Sequence, residues 1–140
     1  VFLFVRMALN AIDGLLAREH GQQSALGAYL NELGDVVSDA FLYLPFARLP
    51  DCPTRWVIAF VLLAVLGELA GVLAQTQGAS RRYDGPMGKS DRAVAGGALA
   101  LALGLGAAPG PWLEVAFVIF SALGVWTLLR RVARGLAERK

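Results

Sequence analysis

Five apolar segments divide the chain and leave few ways for it to fold. They cover residues 1–18, 25–48, 56–77, 91–108 and 111–130. An apolar stretch of about 20 residues can cross a bilayer as a helix, and a helix satisfies its own backbone hydrogen bonds in lipid. Only 17% of the 140 residues are charged, against about 25% in soluble domains. The sequence therefore predicts an all-α, polytopic transmembrane helical bundle that forms a single domain over residues 1–140.

The third and fifth segments are the clearest membrane spans, because the first two also carry polar side chains. Val1 already lies inside an apolar run, and neither an initiator Met nor a basic leader region precedes it. We therefore expect the domain to be truncated at its N-terminus.

The basic residues indicate an orientation in the membrane. If the connections alternate sides, most of the 13 Lys and Arg residues fall on one side, namely Arg18, Arg81, Arg82, Lys89, Arg92, Arg130, Arg131, Arg134, Arg139 and Lys140. The positive-inside rule makes that side cytoplasmic. The sequence thus predicts an integral protein of a bacterial inner membrane, with residues 130–140 as a cytoplasmic amphipathic tail and no nucleic-acid partner.

Polar and acidic side chains recur at helical spacing within the first two segments. Asn10 and Asp13 are three residues apart, and Asn31, Asp35 and Asp39 are four apart, spacings that place side chains on one helix face. A carboxylate at the centre of a membrane helix costs roughly 2.5–3.5 kcal/mol, which favours a functional role. Hard divalent cations prefer oxygen ligands and share them with substrate phosphates. The pattern predicts a metal and phosphate site at the cytoplasmic surface of the membrane.

The stretch from Asn10 to Asp35 resembles the signature of the CDP-alcohol phosphotransferases, also called CDP-alcohol phosphatidyltransferases. That signature reads Asp, two residues, Asp-Gly, two residues, Ala-Arg, eight residues, Gly, three residues, Asp, three residues, Asp. The residues here are Asn10, Asp13, Gly14, Ala17, Arg18, Gly27, Asn31 and Asp35, with every spacing kept. A looser likeness covers the whole chain. The family has six transmembrane helices, so the resemblance implies that one precedes these five.

The resemblance implies a membrane enzyme of phospholipid biosynthesis, which moves a phosphatidyl-type group from a CDP-linked lipid to an alcohol and releases CMP. It implies one or two Mg²⁺ or Mn²⁺ ions at Asn10, Asp13, Asn31 and Asp35, with Asp35 as the general base. It assigns the CDP moiety to Asp13, Gly14, Ala17, Arg18 and Gly27. It also suggests a homodimer. Such chemistry depends on positioning and charge stabilisation, which two metal ions can supply.

The chain departs from the family at two positions, where Asn10 and Asn31 replace aspartates. An amide oxygen can ligate a hard cation, but it adds no negative charge, so we expect weaker metal binding or the loss of one ion. Asp39, one turn after Asp35, is a better compensating acid than Glu32, which points about 100° away from Asn31. One alternative is a catalytically weakened protein that still binds a nucleotide lipid. Another is a transporter, which the few ionisable groups of the last two segments disfavour.

The connection between the third and fourth segments is the second candidate functional region. Arg81, Arg82 and Lys89 are candidates for binding the phosphate of an acceptor, or else they anchor the chain to anionic lipid. Glycerol phosphate, inositol phosphate, serine and amino alcohols all stay open as acceptors, and the basic residues favour a phosphorylated one. Glu68, in the third segment, is a functional candidate because it is an intramembrane acid, but its interpretation as a hydrogen-bonding partner across the bundle is favoured. His20 is interpreted as a solvated loop residue.

Overall fold

Four α-helices and one 3-10 helix make up the computed structural model, which describes residues 25–138. They are α1 (Ala25–Tyr43), the 3-10 helix (Leu44–Arg48), α2 (Thr54–Thr76), α3 (Lys89–Gly104) and α4 (Pro111–Glu138). This part of the chain contains no β-strand. The predicted all-α class is confirmed, whereas the first predicted span, residues 1–18, lies outside the described residues.

Two helices within residues 25–138 are long and apolar enough to cross a membrane. They are α2, with 23 residues, and α4, with 28 residues, and a bilayer requires about 20. These are the third and fifth segments of the sequence, so the prediction that they are the clearest spans is confirmed. α1 carries three carboxylates and α3 has only 16 residues. Both helices therefore depend more than α2 and α4 on packing against their neighbours.

Local sequence explains where the helices depart from the predicted segments. The α-helical part of the second segment ends at Tyr43 because Pro45 lacks the N–H that an α-helix interior requires. α3 ends at Gly104, earlier than predicted, and Gly106 follows with a φ of 100°, a conformation that suits glycine. The prediction of a tail over residues 130–140 needs correction. The residues up to Glu138 are the last turns of α4.

Aromatic side chains form the apolar core at one end of the bundle. The rings of Tyr43 and Phe60 meet edge to face with centroids 4.8 Å apart, and those of Phe46 and Phe117 at 5.6 Å. Edge-to-face pairs are favourable beyond the area they bury. Because these residues come from the end of α1, the 3-10 helix, α2 and α4, the cluster fixes those elements to one another.

Close approaches at two glycines bring the remaining pieces against the bundle. A Cβ atom on Gly71 would lie 2.6 Å from the carbonyl oxygen of Arg82, and one on Gly96 would lie 2.8 Å from the Tyr43 hydroxyl. The absence of a side chain at these two positions lets the neighbouring segments approach closely. The connection before α3 therefore lies on α2, and α3 lies on α1. Both approaches are near the polar end of the bundle.

The contact at Gly96 can be tested by adding a methyl group. Gly96→Ala should destabilise the protein by roughly 1–3 kcal/mol, because overpacking against the Tyr43 ring forces a shift. Gly104→Ala, in the same helix, is the matched control, since nothing lies within 4 Å of its added Cβ. Thermal unfolding of both variants in detergent micelles measures the difference. Equal stability of the two would show that α3 does not pack this closely on α1.

Candidate active site

Asp35 lies buried on α1, one turn after the exposed Asn31. The Lys89 ammonium donates a hydrogen bond to Asp35 Oδ2 at 2.5 Å. Lys89 is the first residue of α3, and Asp91 stabilises that helix start by accepting a hydrogen bond from the Gly88 amide at 3.0 Å. The sequence-predicted base and one predicted phosphate-binding residue are therefore brought together. The Asp35 carboxylate is held near the positive end of a helix.

Glu68 occupies the centre of a buried network on α2, where its exposed fraction is only 7%. One carboxylate oxygen accepts a hydrogen bond from Arg92 Nη2 at 2.8 Å. The other lies 3.4 Å from nitrogens of Arg81 and Arg131. A single carboxylate thus faces three guanidinium groups, from α3, α4 and the connection between α2 and α3. The sequence-based interpretation of Glu68 as a partner across the bundle is consistent with this placement.

Arg92 is almost fully enclosed, with an exposed fraction of 1%. Besides Glu68, its guanidinium donates to Asp39 Oδ2 at 2.8 Å and to the Met87 carbonyl at 3.1 Å. The Tyr43 hydroxyl in turn donates to the Arg92 carbonyl. Buried charges are tolerated only when they are paired and hydrogen-bonded in this way. Asp39, the predicted compensating acid, lies here as a partner of a buried arginine.

Arg131 enters the same network from α4, in the stretch predicted as a cytoplasmic amphipathic tail. Its exposed fraction is also 1%. It donates to the Gly67 carbonyl at 2.7 Å and to the Asp84 carbonyl at 3.2 Å. The sequence did contain a signal for this burial, because small or polar residues repeat along one face of α4. They are Gly124, Thr127, Arg131 and Gly135, and all four are buried.

Arg81 and Arg82 both pair with carboxylates. Arg81 pairs with Glu32 of α1 as well as with Glu68, and it stacks 4.9 Å above the Tyr83 ring. Its Nε is buried without a hydrogen-bond partner. Arg82 pairs with Asp84 and with Glu138 at the end of α4.

Glu138 fastens the connection between α2 and α3 to the end of α4. It accepts hydrogen bonds from the backbone amide and the hydroxyl of Ser80, at 3.1 and 2.8 Å, and from Arg82. The Arg82 hydrogen bond also holds the pKa of Asp84 below its ordinary value, so Asp84 stays ionised at neutral pH. The connection that carries Arg81 and Lys89 is thereby held over the polar end of the bundle.

Within residues 25–138, the basic side chains that enter this network are matched by acidic ones. Four cations face four carboxylates, the cations being Lys89, Arg81, Arg92 and Arg131 and the carboxylates Asp35, Glu32, Asp39 and Glu68. Such an arrangement can hold a carboxylate and a lysine in fixed positions beside a substrate without an excess of charge.

Most of the predicted nucleotide and metal positions lie outside the described residues: Asn10, Asp13, Gly14, Ala17 and Arg18. The predicted loop residue His20 also lies outside them. Gly27 is exposed in the first turns of α1. The described residues include no group of three or more His, Cys, Asp or Glu side chains that could hold a metal ion. Asn31 and Asp35 nevertheless offer amide and carboxylate oxygens one turn apart. Those are donors that suit Mg²⁺ or Mn²⁺.

Comparison with known proteins gives one family and one curated relative. The sequence profile described as CDP-alcohol phosphatidyltransferase matches residues 1–133. Inner membrane protein YnbA of Escherichia coli (strain K12) is 48% identical over 131 residues, which are 94% of this chain and 65% of that protein. The chain therefore spans 65% of the length of the curated relative it matches. No solved structure matches the chain.

The buried network should stabilise the fold far more than an exposed ion pair does. Arg92→Met removes a buried arginine from both Asp39 and Glu68 and should cost about 3–5 kcal/mol. Arg55→Met breaks an exposed pair with Glu114, whose nitrogen and oxygen are 2.9 Å apart, and should cost at most about 1 kcal/mol.

Unfolding of both variants in detergent, by denaturant or by heat, gives the comparison. A loss of less than about 1 kcal/mol for Arg92→Met would mean that these carboxylates are not held by Arg92.

Proposed function

The chain belongs to the CDP-alcohol phosphatidyltransferase family, and from that premise we propose that it transfers a phosphatidyl-type group from a CDP-linked lipid to an alcohol and releases CMP. The observation that carries this proposal is the position of Asp35. It is a buried carboxylate at the polar end of a membrane helix bundle, beside Lys89 and one turn after Asn31. The same residue ends the sequence signature of the family.

Asp35 is the proposed general base of the reaction. It would accept the proton of the acceptor hydroxyl, whose oxygen forms a bond to the lipid-linked phosphorus. The bond from that phosphorus to the CMP oxygen breaks, and CMP leaves. Burial and the Lys89 contact fix the carboxylate in one position, and positioning supplies much of the rate enhancement in phosphoryl transfer.

A divalent cation, Mg²⁺ or Mn²⁺, would be held by Asn10, Asp13, Asn31 and Asp35, of which the last two are described here. When bound, it would neutralise the charge that develops on the diphosphate. Gly14, Ala17, Arg18 and Gly27, with Asp13, would hold the CDP moiety. The donor set fits such an ion in chemical type, and one or two ions remain compatible with it.

We propose that the site faces the cytoplasm from a bacterial inner membrane. The curated relative is named as an inner membrane protein, and most of the basic residues fall on the side of the site. A homodimer remains an expectation from the family. The lipid bilayer, a CDP-linked lipid and an alcohol are the proposed partners.

The role of Asp35 predicts a specific loss of activity. Asp35→Asn should lower the rate of CMP release from CDP-diacylglycerol by roughly 10²–10⁴-fold, the usual cost of removing a general base. Asp39→Asn and Glu32→Gln should lose much less. Glu114→Gln, whose side chain lies at the far end of α4 against Arg55, should keep the activity of the unaltered protein.

The assay uses the purified full-length protein, CDP-diacylglycerol and a panel of alcohols. Near-normal turnover by Asp35→Asn, together with inactivation by Asp39→Asn, would show that the base is Asp39, one turn later on α1. Absence of CMP release with every alcohol would contradict the proposed transfer reaction.

The two asparagines favour a second candidate function, a catalytically weakened protein that binds a nucleotide lipid. Asn10→Asp and Asn31→Asp would each add a full charge to the proposed metal site. A unit charge about 4 Å away contributes roughly 4 kcal/mol at an effective dielectric near 20, and desolvation offsets much of that. We expect the affinity for Mg²⁺ to rise by about one to two orders of magnitude.

Mg²⁺ titration of the original protein and the double variant measures this change. A weakened enzyme should also gain turnover with CDP-diacylglycerol, whereas a protein adapted to another substrate should bind metal more tightly and lose activity on that substrate. Equal metal affinities of the original protein and the double variant would show that positions 10 and 31 do not belong to the metal site.

A further inference from the structure

The three arginines that contact Glu68 have little surface to offer a substrate. Arg92 and Arg131 each have an exposed fraction of 1%, and the side chain of Arg81 has 16%. The one guanidinium nitrogen of Arg81 without a partner, Nε, is itself buried. An acceptor that reaches the site therefore meets guanidinium groups whose charged faces are already covered.

Carboxylates of the protein cover those faces, and Glu68 is common to all three arginines. Glu68 is part of α2 and Glu32 is part of α1. Unlike a bound anion, neither carboxylate can dissociate from the arginines into solvent. A phosphate would have to displace one of them, and removing one partner from a buried ion pair leaves an uncompensated charge. Burying a second anion beside Glu68 would add like-charge repulsion.

Two further cations in the described part of the chain, Lys89 and Arg82, also pair with carboxylates. Lys89 is partly exposed and donates to Asp35, while Arg82 lies against two carboxylates, Asp84 and Glu138. Each of these five cations is thus paired with a carboxylate among the described residues. A phosphate monoester has a charge near −2 at neutral pH, and it binds most tightly where Arg and Lys groups are available to donate hydrogen bonds to it.

We propose that the acceptor is an alcohol without a phosphate group, and that Glu68 determines this preference by holding Arg81, Arg92 and Arg131 in internal ion pairs. The inference rests on the proposed transfer reaction and narrows its acceptor. It reverses the preference for a phosphorylated acceptor that the basic residues of the sequence suggest. Within residues 25–138, Arg81, Lys89, Arg92 and Arg131 are each paired with a carboxylate from another element.

The test compares acceptors that differ only by a phosphate. Glycerol with glycerol 3-phosphate, inositol with inositol phosphate, and serine with phosphoserine are offered at equal concentration with CDP-diacylglycerol, and CMP release is measured. For the pair of acceptors that gives the fastest CMP release, the original protein should release CMP at least about tenfold faster with the unphosphorylated alcohol. Specificity is a difference of affinities, and repulsion between like charges contributes to that difference.

Glu68→Gln and Glu32→Gln should shift that ratio toward the phosphorylated acceptor by about tenfold, since each leaves an arginine charge unbalanced. Glu32→Gln alters a partly exposed side chain and serves where the buried Glu68→Gln fails to fold. Glu114→Gln removes a carboxylate at the other end of α4 and should leave the ratio unchanged. Preference of the original protein for the phosphorylated alcohol, or equal effects of the variants on both alcohols, would overturn the inference.

Binding of inorganic phosphate separates this inference from the transfer reaction itself. At millimolar concentration, phosphate should raise the unfolding temperature of the two charge-removing variants and leave that of the original protein and of Glu114→Gln unchanged. Absence of CMP release with every acceptor would refute the proposed reaction while this phosphate result still decides the role of Glu68. Equal stabilisation of all four proteins would refute that role.

Discussion

The contact of one buried carboxylate with three arginines organises this bundle. Glu68 comes from α2, and its partners Arg92 and Arg131 come from α3 and α4. The third, Arg81, belongs to the connection between α2 and α3. A buried carboxylate is costly unless it is paired, and an unpaired arginine is costly in the same way. Each partner therefore depends on the others being in place, and the elements that carry them must come together as a unit.

The polar network and the aromatic core hold different parts of the helix bundle together. Phe60 and Phe117 fix α2 against α4 at the end away from the network, where packing needs no charge. α3 has no aromatic residue and many small ones, so it relies on Arg92 and on its contact with Tyr43 at Gly96. Tyr43 links the two systems, because its ring packs on Phe60 and its hydroxyl donates to the Arg92 carbonyl.

The sequence predicted the helices better than the partners of their side chains. Apolar length located α2 and α4, and local chemistry at Pro45 and Gly106 accounts for the boundaries that differed. The spacing of Asn31, Asp35 and Asp39 could be interpreted on a single helix. The partners of Glu68 could not, because an ion pair between α2 and α4 depends on how the helices are arranged. Arg131 resembles its neighbours in charge, and the small or polar residues on its face of α4 are the sequence signal of its burial against Gly67.

Under the proposed function, the charge of the metal must be balanced largely by the substrate. Asn10 and Asn31 contribute no negative charge, which leaves Asp13 and Asp35 among the four signature positions. Lys89 already neutralises Asp35 in the described part of the chain, and a cation that took this carboxylate would have to compete with an ammonium group. The diphosphate of a CDP-linked lipid would bring the missing negative charge with it. Because binding couplings are reciprocal, metal and nucleotide lipid would each strengthen the binding of the other.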